Sequence, residues 1–227
     1  MFPSFHKAKI FDKNIDLADR IQLGFTYFFR LAIIILLAAG IINEQWNITL
    51  FSLFLLILTF TSHFIENRFQ IYLPLEFEFI AAALVYVSLY LGDLQSYYIY
   101  YWWWDIALHI GAGIVFGLLG FVVIYTIYRR DKIQLNKPFW FALFTFCFAM
   151  TIGGLWEILE FTIDQVYPHF YMQENGLVDT MWDLIVNGLG ALLISILGYM
   201  YIKGGNIPFI SRIMKKIKRR HPNFHRY

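Results

Sequence analysis

The sequence contains little cysteine and little charge, and basic residues are missing from two long stretches. The single cysteine, Cys147, excludes an intrachain disulfide, and we expect a buried structural thiol because it lies in an apolar run. Only 15% of the 227 residues are charged. No Lys or Arg occurs in residues 69–128 or 138–202. We expect no secretory signal peptide, soluble domain, nucleotide-binding glycine loop or nucleic-acid partner.

Apolar residues dominate and occur in runs, which predicts an all-α, polytopic membrane protein with six transmembrane helices. The hydrophobic fraction is 59% and the mean hydropathy is +0.56, values that exclude an ordinary soluble domain. Each run reaches or approaches the roughly 20 residues that a membrane-spanning helix requires. The runs cover residues 24–42, 47–65, 75–92, 102–128, 139–163 and 179–202.

The positions of the basic residues predict that both termini are cytoplasmic. Basic residues precede the first run, follow the sixth and occupy the second and fourth connections, whereas the odd-numbered connections have none. We therefore predict a multi-pass plasma-membrane protein. Its predicted parts are a cytoplasmic amphipathic segment (1–23), a six-helix domain (24–202) and a basic cytoplasmic tail (203–227). The tail predicts an interfacial helix suited to anionic lipid, although a basic flank also serves simply to fix topology.

Polar residues form three stripes inside the last three runs. Residues three or four positions apart share a helix face, so each stripe lies on one face. The first stripe has Asp105, His109, Gly113 and Gly117; the second has Gly153, Glu157, Glu160 and Asp164; the third has Asp179, Asp183, Asn187 and Gly190. The predicted topology puts all three at matching depths in the outer half of the membrane. The six carboxylates of this layer must take up cations, namely protons, charged His109 or a metal ion.

Each of these residues also has a purely structural explanation. Asp105 and Asp179 suit the N-cap positions of their helices. Asn187 suits a hydrogen bond to a neighbouring helix, and the glycines suit close helix packing. His109 alone is compatible with a satisfied histidine inside a helix bundle. Carboxylates within a span normally face a cavity or a functional site. The residues hardest to explain structurally are therefore Glu157, Glu160 and Asp183.

The segments that carry these stripes resemble the YjdF-like bacterial inner-membrane proteins. The similar segments are Trp104–His109, Trp156–Phe161 with Asp164, and Asp179–Asp183 with Asn187 and Gly188. The pattern is more distantly similar to the VanZ-like proteins, which have Asp-x-x-x-His, an acidic segment and Asp-x-x-x-Asn-x-x-Gly in the same order. Glu160 stands where the VanZ-like pattern usually has Gln, so the site of this chain is more acidic. The resemblance implies a location in the inner membrane and implies no particular reaction.

A second polar cluster brackets the predicted connection between the second and third runs. It consists of His63, Glu66, Asn67, Arg68, Glu76 and Glu78. We expect Arg68 to pair with Glu66 or Glu76 in a solvated loop, because exposed ion pairs of this kind are common and weak.

Three classes of function fit the outer cluster, and an enzyme leads. In that hypothesis a divalent cation, Mg²⁺, Mn²⁺ or Zn²⁺, serves a reaction on a lipid or lipid-linked envelope substrate. The predicted metal ligands are Asp105, His109, Glu157, Glu160 and Asp183. The predicted catalytic residues are His109, Glu157 and Glu160, with one glutamate as general base. Asp164, Asp179 and Asn187 complete the polar cluster.

The two alternatives are a proton- or cation-coupled transporter and a non-catalytic scaffold or lipid-binding protein. A transporter with six spans would need to form a dimer. In the fourth run no acidic or basic residue follows His109 until Arg129, which favours a closed site over a conduit. The expected partners are membrane lipids, and a homo-oligomer stays open.

Overall fold

Helices make up most of the residues that the computed structural model describes, which are 17–60, 64, 75–94, 97–130, 137–166, 173 and 176–220. The helices are α1 (Leu17–Ile42), α2 (Trp46–Leu58), α3 (Leu75–Tyr86), a π-helix (Val87–Leu94), α4 (Tyr97–Tyr100), α5 (Trp104–Arg130), α6 (Pro138–Val166), α7 (Leu177–Ile202) and α8 (Pro208–Arg220). No strand occurs in this part of the chain, so the all-α prediction is confirmed there.

Within the described residues, four helices are long and apolar enough to cross a membrane. The qualifying stretches are Arg20–Ile42, Trp104–Tyr128, Pro138–Val166 and Leu177–Ile202. Helix α2 has only 13 residues, which is shorter than a bilayer requires. The 12 residues of α3 continue directly into the 8 residues of the π-helix. Helix α1 begins at Leu17, so it includes the end of the segment predicted as a separate amphipathic region; residues 1–16 lie outside the described chain.

The described helices belong to two compact units, of which the first contains α1, α2 and α3. Helices α2 and α3 both pack against α1. Aromatic rings of α1 and α3 stack and meet edge to face, as Phe29 does with Tyr86 and Phe25 with Phe79. Such pairs contribute about 0.5–1.5 kcal/mol each beyond the area they bury.

The second unit is built on α5, α6 and α7, each of which packs against the other two. Helix α6 buries one narrow stripe, made of Phe141, Thr145, Ala149, Gly153, Glu157 and Glu160. Spacings of three and four put these residues on a single face. The opposite surface carries exposed apolar side chains such as Leu155 and Ile158, which suits contact with lipid. Because the buried stripe begins apolar and ends acidic, the acids lie at one end of the three-helix bundle.

Glycines bring α5 and α7 into backbone contact. A Cβ added to Gly113 would overlap the carbonyl oxygen of Asn187, and one added to Gly190 would overlap the carbonyl oxygen of Ile110. The two backbones therefore approach as closely as only glycine permits. This contact layer fixes the distance between the two helices just below the polar residues.

One expectation about a buried face is wrong. Cys147 is exposed on the surface of α6, because the buried stripe of that helix runs along a different face. In α8 the apolar residues Ile210, Ile213, Met214 and Ile217 are buried within the protein. Arg212 and Lys215 of the same helix are exposed.

Candidate functional site

The polar cluster lies one helical turn from the glycine contact layer. Gly113 and Gly153 both pack against Asn187, at the level where α5, α6 and α7 meet. A residue four positions further along a helix is on the same face, one turn away. At that level α5, α6 and α7 contribute His109, Glu157 and Asp183 respectively. The close packing of small residues thus determines how near these three side chains come to one another.

His109 is at the centre of the cluster, and its two ring nitrogens face different acids. Its Nε2 atom is 3.4 Å from Oδ1 of Asp105 and 3.9 Å from Oδ1 of Asp183. Its Nδ1 atom is 3.7 Å from Oε1 of Glu157. These separations are within ion-pair range but exceed the usual length of a direct hydrogen bond.

The acids of the cluster are buried and outnumber the available positive charge. The exposed fraction is 5% for Glu157, 9% for Glu160 and 3% for Asp183. His109 is the only Lys, Arg or His in residues 104–128, 138–166 and 177–202. An ionised carboxylate in such a place is costly unless a cation or hydrogen-bond donor meets it. A single imidazole cannot balance this set of acids.

Glu157 shows this imbalance most directly. Both of its carboxylate oxygens are buried, and within the described part of the chain no donor reaches either of them with hydrogen-bond geometry. The Thr180 hydroxyl lies beside this carboxylate but does not have the geometry of a hydrogen bond to it. A buried polar group left unsatisfied costs about 1–3 kcal/mol. The carboxylate can therefore take up a proton, bind a cation or accept a hydrogen bond from the His109 ring.

Glu160 and Asp164 are engaged by neighbouring groups. The indole N–H of Trp156 donates to Oε1 of Glu160 over 2.7 Å. The backbone N–H of Gln173 donates to Oδ2 of Asp164 over 2.8 Å, and the Gln173 side chain donates to the Thr180 hydroxyl over 2.5 Å. Gln173 thereby links the end of α6 to the start of α7. Asp164 supports this connection, which gives it a structural role at the rim of the cluster.

Asp105 and Asp179 lie in the first turns of α5 and α7 rather than at the N-cap positions considered above. The N-cap of α7 is Gly176, and α5 begins at Trp104, one residue before Asp105. Acidic side chains in a first helical turn interact favourably with the helix dipole. Both aspartates are half-buried, and Asp179 is one turn from Asp183 on the same face of α7.

Three of the side chains lie close enough together to form a candidate metal site. Asp105, His109 and Asp183 each offer one ligand atom, and these atoms lie within 4.8 Å of one another. Ligand atoms that bind the same small cation at about 2.0–2.2 Å are themselves about 3–4 Å apart. Two carboxylates and an imidazole suit Zn²⁺, Mn²⁺ or Mg²⁺. Glu157 and Glu160, although also predicted as ligands, lie outside this group of three atoms.

A buried ion pair in the first unit was not predicted from the sequence. Arg30 Nη2 is 2.9 Å from Oε1 of Glu78 and donates to the carbonyl oxygen of Thr59 over 2.7 Å. The guanidinium also lies 4.2 Å from the centre of the Phe60 ring. The sequence contained one sign of this ion pair, because Arg30 is the only Lys or Arg inside any of the six apolar runs. The other predicted partners in this region, His63, Glu66, Asn67 and Arg68, lie outside the described residues.

The fold and the cluster define an all-helical integral membrane protein whose three-helix unit encloses acids around one histidine. More specifically, residues 25–204 match the family model described as predicted membrane protein (DUF2238), and the chain belongs to that family. The family match supports the YjdF-like resemblance. The VanZ-like similarity stays a resemblance in motif order.

The chain is also similar to an uncharacterized protein of Thermotoga maritima, with 32% identity over 111 residues. The matched region is 47% of this chain and 53% of the relative, so it spans about half the length of each. No solved structure matches the chain.

Proposed function

We propose that the protein is a divalent-cation-dependent membrane enzyme that acts on a lipid or lipid-linked envelope substrate. The proposed cation ligands are Asp105, His109 and Asp183. The observation that carries the proposal is the convergence of their three ligand atoms within 4.8 Å. The buried, unsatisfied carboxylate of Glu157 supports it independently, because it shows that the cluster has more acid than its own residues satisfy.

A divalent ion in this position would supply Lewis-acid chemistry and promote deprotonation of a water molecule. The reaction class is hydrolysis of an ester or anhydride bond of the substrate. The water oxygen bonds to the reacting phosphorus or carbonyl carbon, and the proton passes to a carboxylate of the cluster. The bond to the leaving group then breaks, and that group takes up the proton. Glu160 is our candidate for the proton acceptor, because Trp156 donates to only one of its two oxygens.

The proposal includes a topology in which the site opens to the outside of a bacterial inner membrane. Six spans with both termini cytoplasmic agree with the basic residues that precede α1, lie between α5 and α6, and follow α7. Helix α3 with its π-helix supplies a continuous segment close to the length of a span. Helix α2 needs residues beyond Leu58 to reach that length.

Transport is disfavoured by the residues between the cluster and the opposite end of the three helices. Residues 110–128, 138–156 and 184–202 contain no acidic, basic or histidine residue. An ion that entered at His109 would therefore meet only apolar and weakly polar side chains along these three helices. Intramembrane ion pathways normally carry ionisable or polar groups along their length. The cluster consequently resembles a closed site more than the mouth of a conduit.

The test compares lipids in membranes from cells that express the parent protein or Asp183→Asn at equal levels. Glu44→Gln is the matched control, because it removes an exposed carboxylate from the turn that follows α1. We expect mass spectrometry to show one class of lipid or lipid-linked molecule altered by the parent and by Glu44→Gln, but not by Asp183→Asn. Identical lipid profiles would contradict the enzyme hypothesis. Uptake of the cation into vesicles containing the protein would instead support a transporter.

A further inference from the structure

The two sides of the His109 ring are not equivalent. The Nε2 side faces Asp105 and Asp183, which are the other two members of the metal-ligand group. The Nδ1 side faces Glu157, on a different helix. A neutral imidazole that binds a cation through one nitrogen carries its proton on the other. The geometry therefore separates a cation side from a proton side.

Glu157 is suited to accept the proton of Nδ1. Its Oε1 is 3.7 Å from that nitrogen, so a shift of about 1 Å would give a hydrogen bond of normal length. Histidines that bind metals almost always donate their other ring N–H to a carboxylate, a carbonyl or water. Glu157 is buried, and both of its oxygens have capacity for such a donor.

On this basis we infer that Glu157 is a positioning residue that orients His109, rather than a ligand of the cation. The inference rests on the proposed cation site. In this arrangement Glu157 holds the ring so that Nε2 points toward the space between Asp105 and Asp183. It also stabilises the tautomer in which Nε2 has a free electron pair.

Glu160 provides a matched comparison for this role. It has the same side chain, belongs to the same buried stripe of α6 and carries the same charge when ionised. Its Oε1 already accepts the Trp156 indole N–H. A merely electrostatic contribution to cation binding would make the two glutamates similar, whereas orientation of His109 depends on Glu157.

The first test measures the Kd of the full-length protein for Zn²⁺ in mild detergent, by competition with a chromogenic chelator. We expect Glu157→Leu to weaken binding by about 10–100-fold, the usual effect of removing such a supporting carboxylate. Glu157→Gln should weaken binding less, because its amide oxygen still accepts the Nδ1 proton. Glu160→Leu should weaken binding less than Glu157→Leu, and Asp183→Asn should abolish it.

The second test reads the tautomer of His109 by ¹⁵N NMR of histidine-labelled protein. Comparison with His109→Asn identifies the His109 signals. In the Zn²⁺-loaded parent we expect a protonated Nδ1 and a Zn²⁺-bound Nε2. Glu157→Leu should alter the Nδ1 signal, whereas a purely structural role of Glu157 would leave the ring nitrogens unchanged.

The outcomes distinguish this role from the cation site itself. Equal weakening by Glu157→Leu and Glu160→Leu, or no weakening by Glu157→Leu, would overturn the role and leave the site intact. Loss of all binding in both Glu157 variants would make Glu157 a ligand. If Glu157→Leu does not fold, Glu157→Gln is compared with Glu160→Gln instead. Equal Kd values of these two variants would overturn the positioning role of Glu157. A parent protein that binds no Zn²⁺, Mn²⁺ or Mg²⁺ would overturn the proposed function and this inference together.

Discussion

Buried charges in this chain occur in two different settings. Arg30 meets Glu78 and the Thr59 carbonyl, so this cation has both a counter-charge and a hydrogen-bond acceptor. The acids around His109 have one shared imidazole, and Glu157 has no hydrogen bond within the described residues. The first arrangement is complete and stabilises the fold of its unit. The second leaves buried carboxylate oxygens without a hydrogen-bond donor, which is why we propose the function there.

The first prediction concerns the buried ion pair. Arg30→Met should destabilise the protein by about 3–5 kcal/mol, because it leaves Glu78 buried without its counter-charge. The measurement is the melting temperature in mild detergent. Arg20→Met is the control, since Arg20 is exposed on the same helix. Adding Glu78→Gln to Arg30→Met should restore part of the lost stability. Equal melting temperatures for the two single variants would show that the ion pair contributes little.

The helices that form the site were predictable because apolar runs and helical spacing are local properties. The observed bounds of α5, α6 and α7 differ by only a few residues from the predicted runs. The shared faces of their polar residues follow from spacing alone. The end of α2 could not be predicted from the local sequence. Its C-cap residue Thr59 accepts a hydrogen bond from Arg30, which is 29 positions away in the chain.

The exposed position of Cys147 and the buried apolar face of α8 also depend on tertiary packing. Helix α6 is apolar on nearly all sides in its first half, so its sequence does not show which face meets α5 and α7. An amphipathic helix such as α8 can place its apolar face on lipid or on protein, and the pattern is the same in both cases. The distances between His109 and its acids likewise depend on how closely the helices pack.

The second prediction tests the contact between α5 and α7. Gly113→Ala should destabilise the protein by about 1–3 kcal/mol, because its new methyl group overlaps the Asn187 carbonyl and forces the helices apart. The same displacement moves His109 from Asp183 and should weaken Zn²⁺ binding. Gly154→Ala is the control, since a Cβ there meets nothing within 4 Å. Melting temperatures and Kd values that are equal for the two variants would contradict the packing account.

At the scale of the whole molecule, the proposed direction of the site depends on the topology. Apart from Arg20 and Arg30 in α1, the basic residues occur before α1, between α2 and α3, from the end of α5 to the start of α6, and after α7. This is the distribution expected of cytoplasmic segments. With that orientation the acidic ends of α5, α6 and α7 face the outside. A site on that side would meet envelope components rather than cytoplasmic metabolites.

The third prediction is the location of three reporter fusions. A reporter after Tyr227 or within residues 129–137 should be cytoplasmic, whereas one within residues 165–178 should be external. The physical reason is that export of a strongly basic segment is disfavoured. Accessibility of each reporter in intact cells gives the result. An external C-terminus would place the site on the cytoplasmic side of the membrane and exclude the proposed envelope substrate.

The central claim is that the acids around His109 bind a divalent cation, and elemental analysis of the purified protein tests it most directly. The parent protein and Glu44→Gln, purified in mild detergent and loaded with Zn²⁺, should retain a stoichiometric ion after dialysis. Asp183→Asn should retain none while melting cooperatively, because it loses a ligand and keeps the side-chain shape. Chelator should lower the melting temperature of the parent and not that of Asp183→Asn, since an ion bound only to the folded state stabilises it by mass action. Equal metal content in the parent and Asp183→Asn, or none in either, would contradict the account.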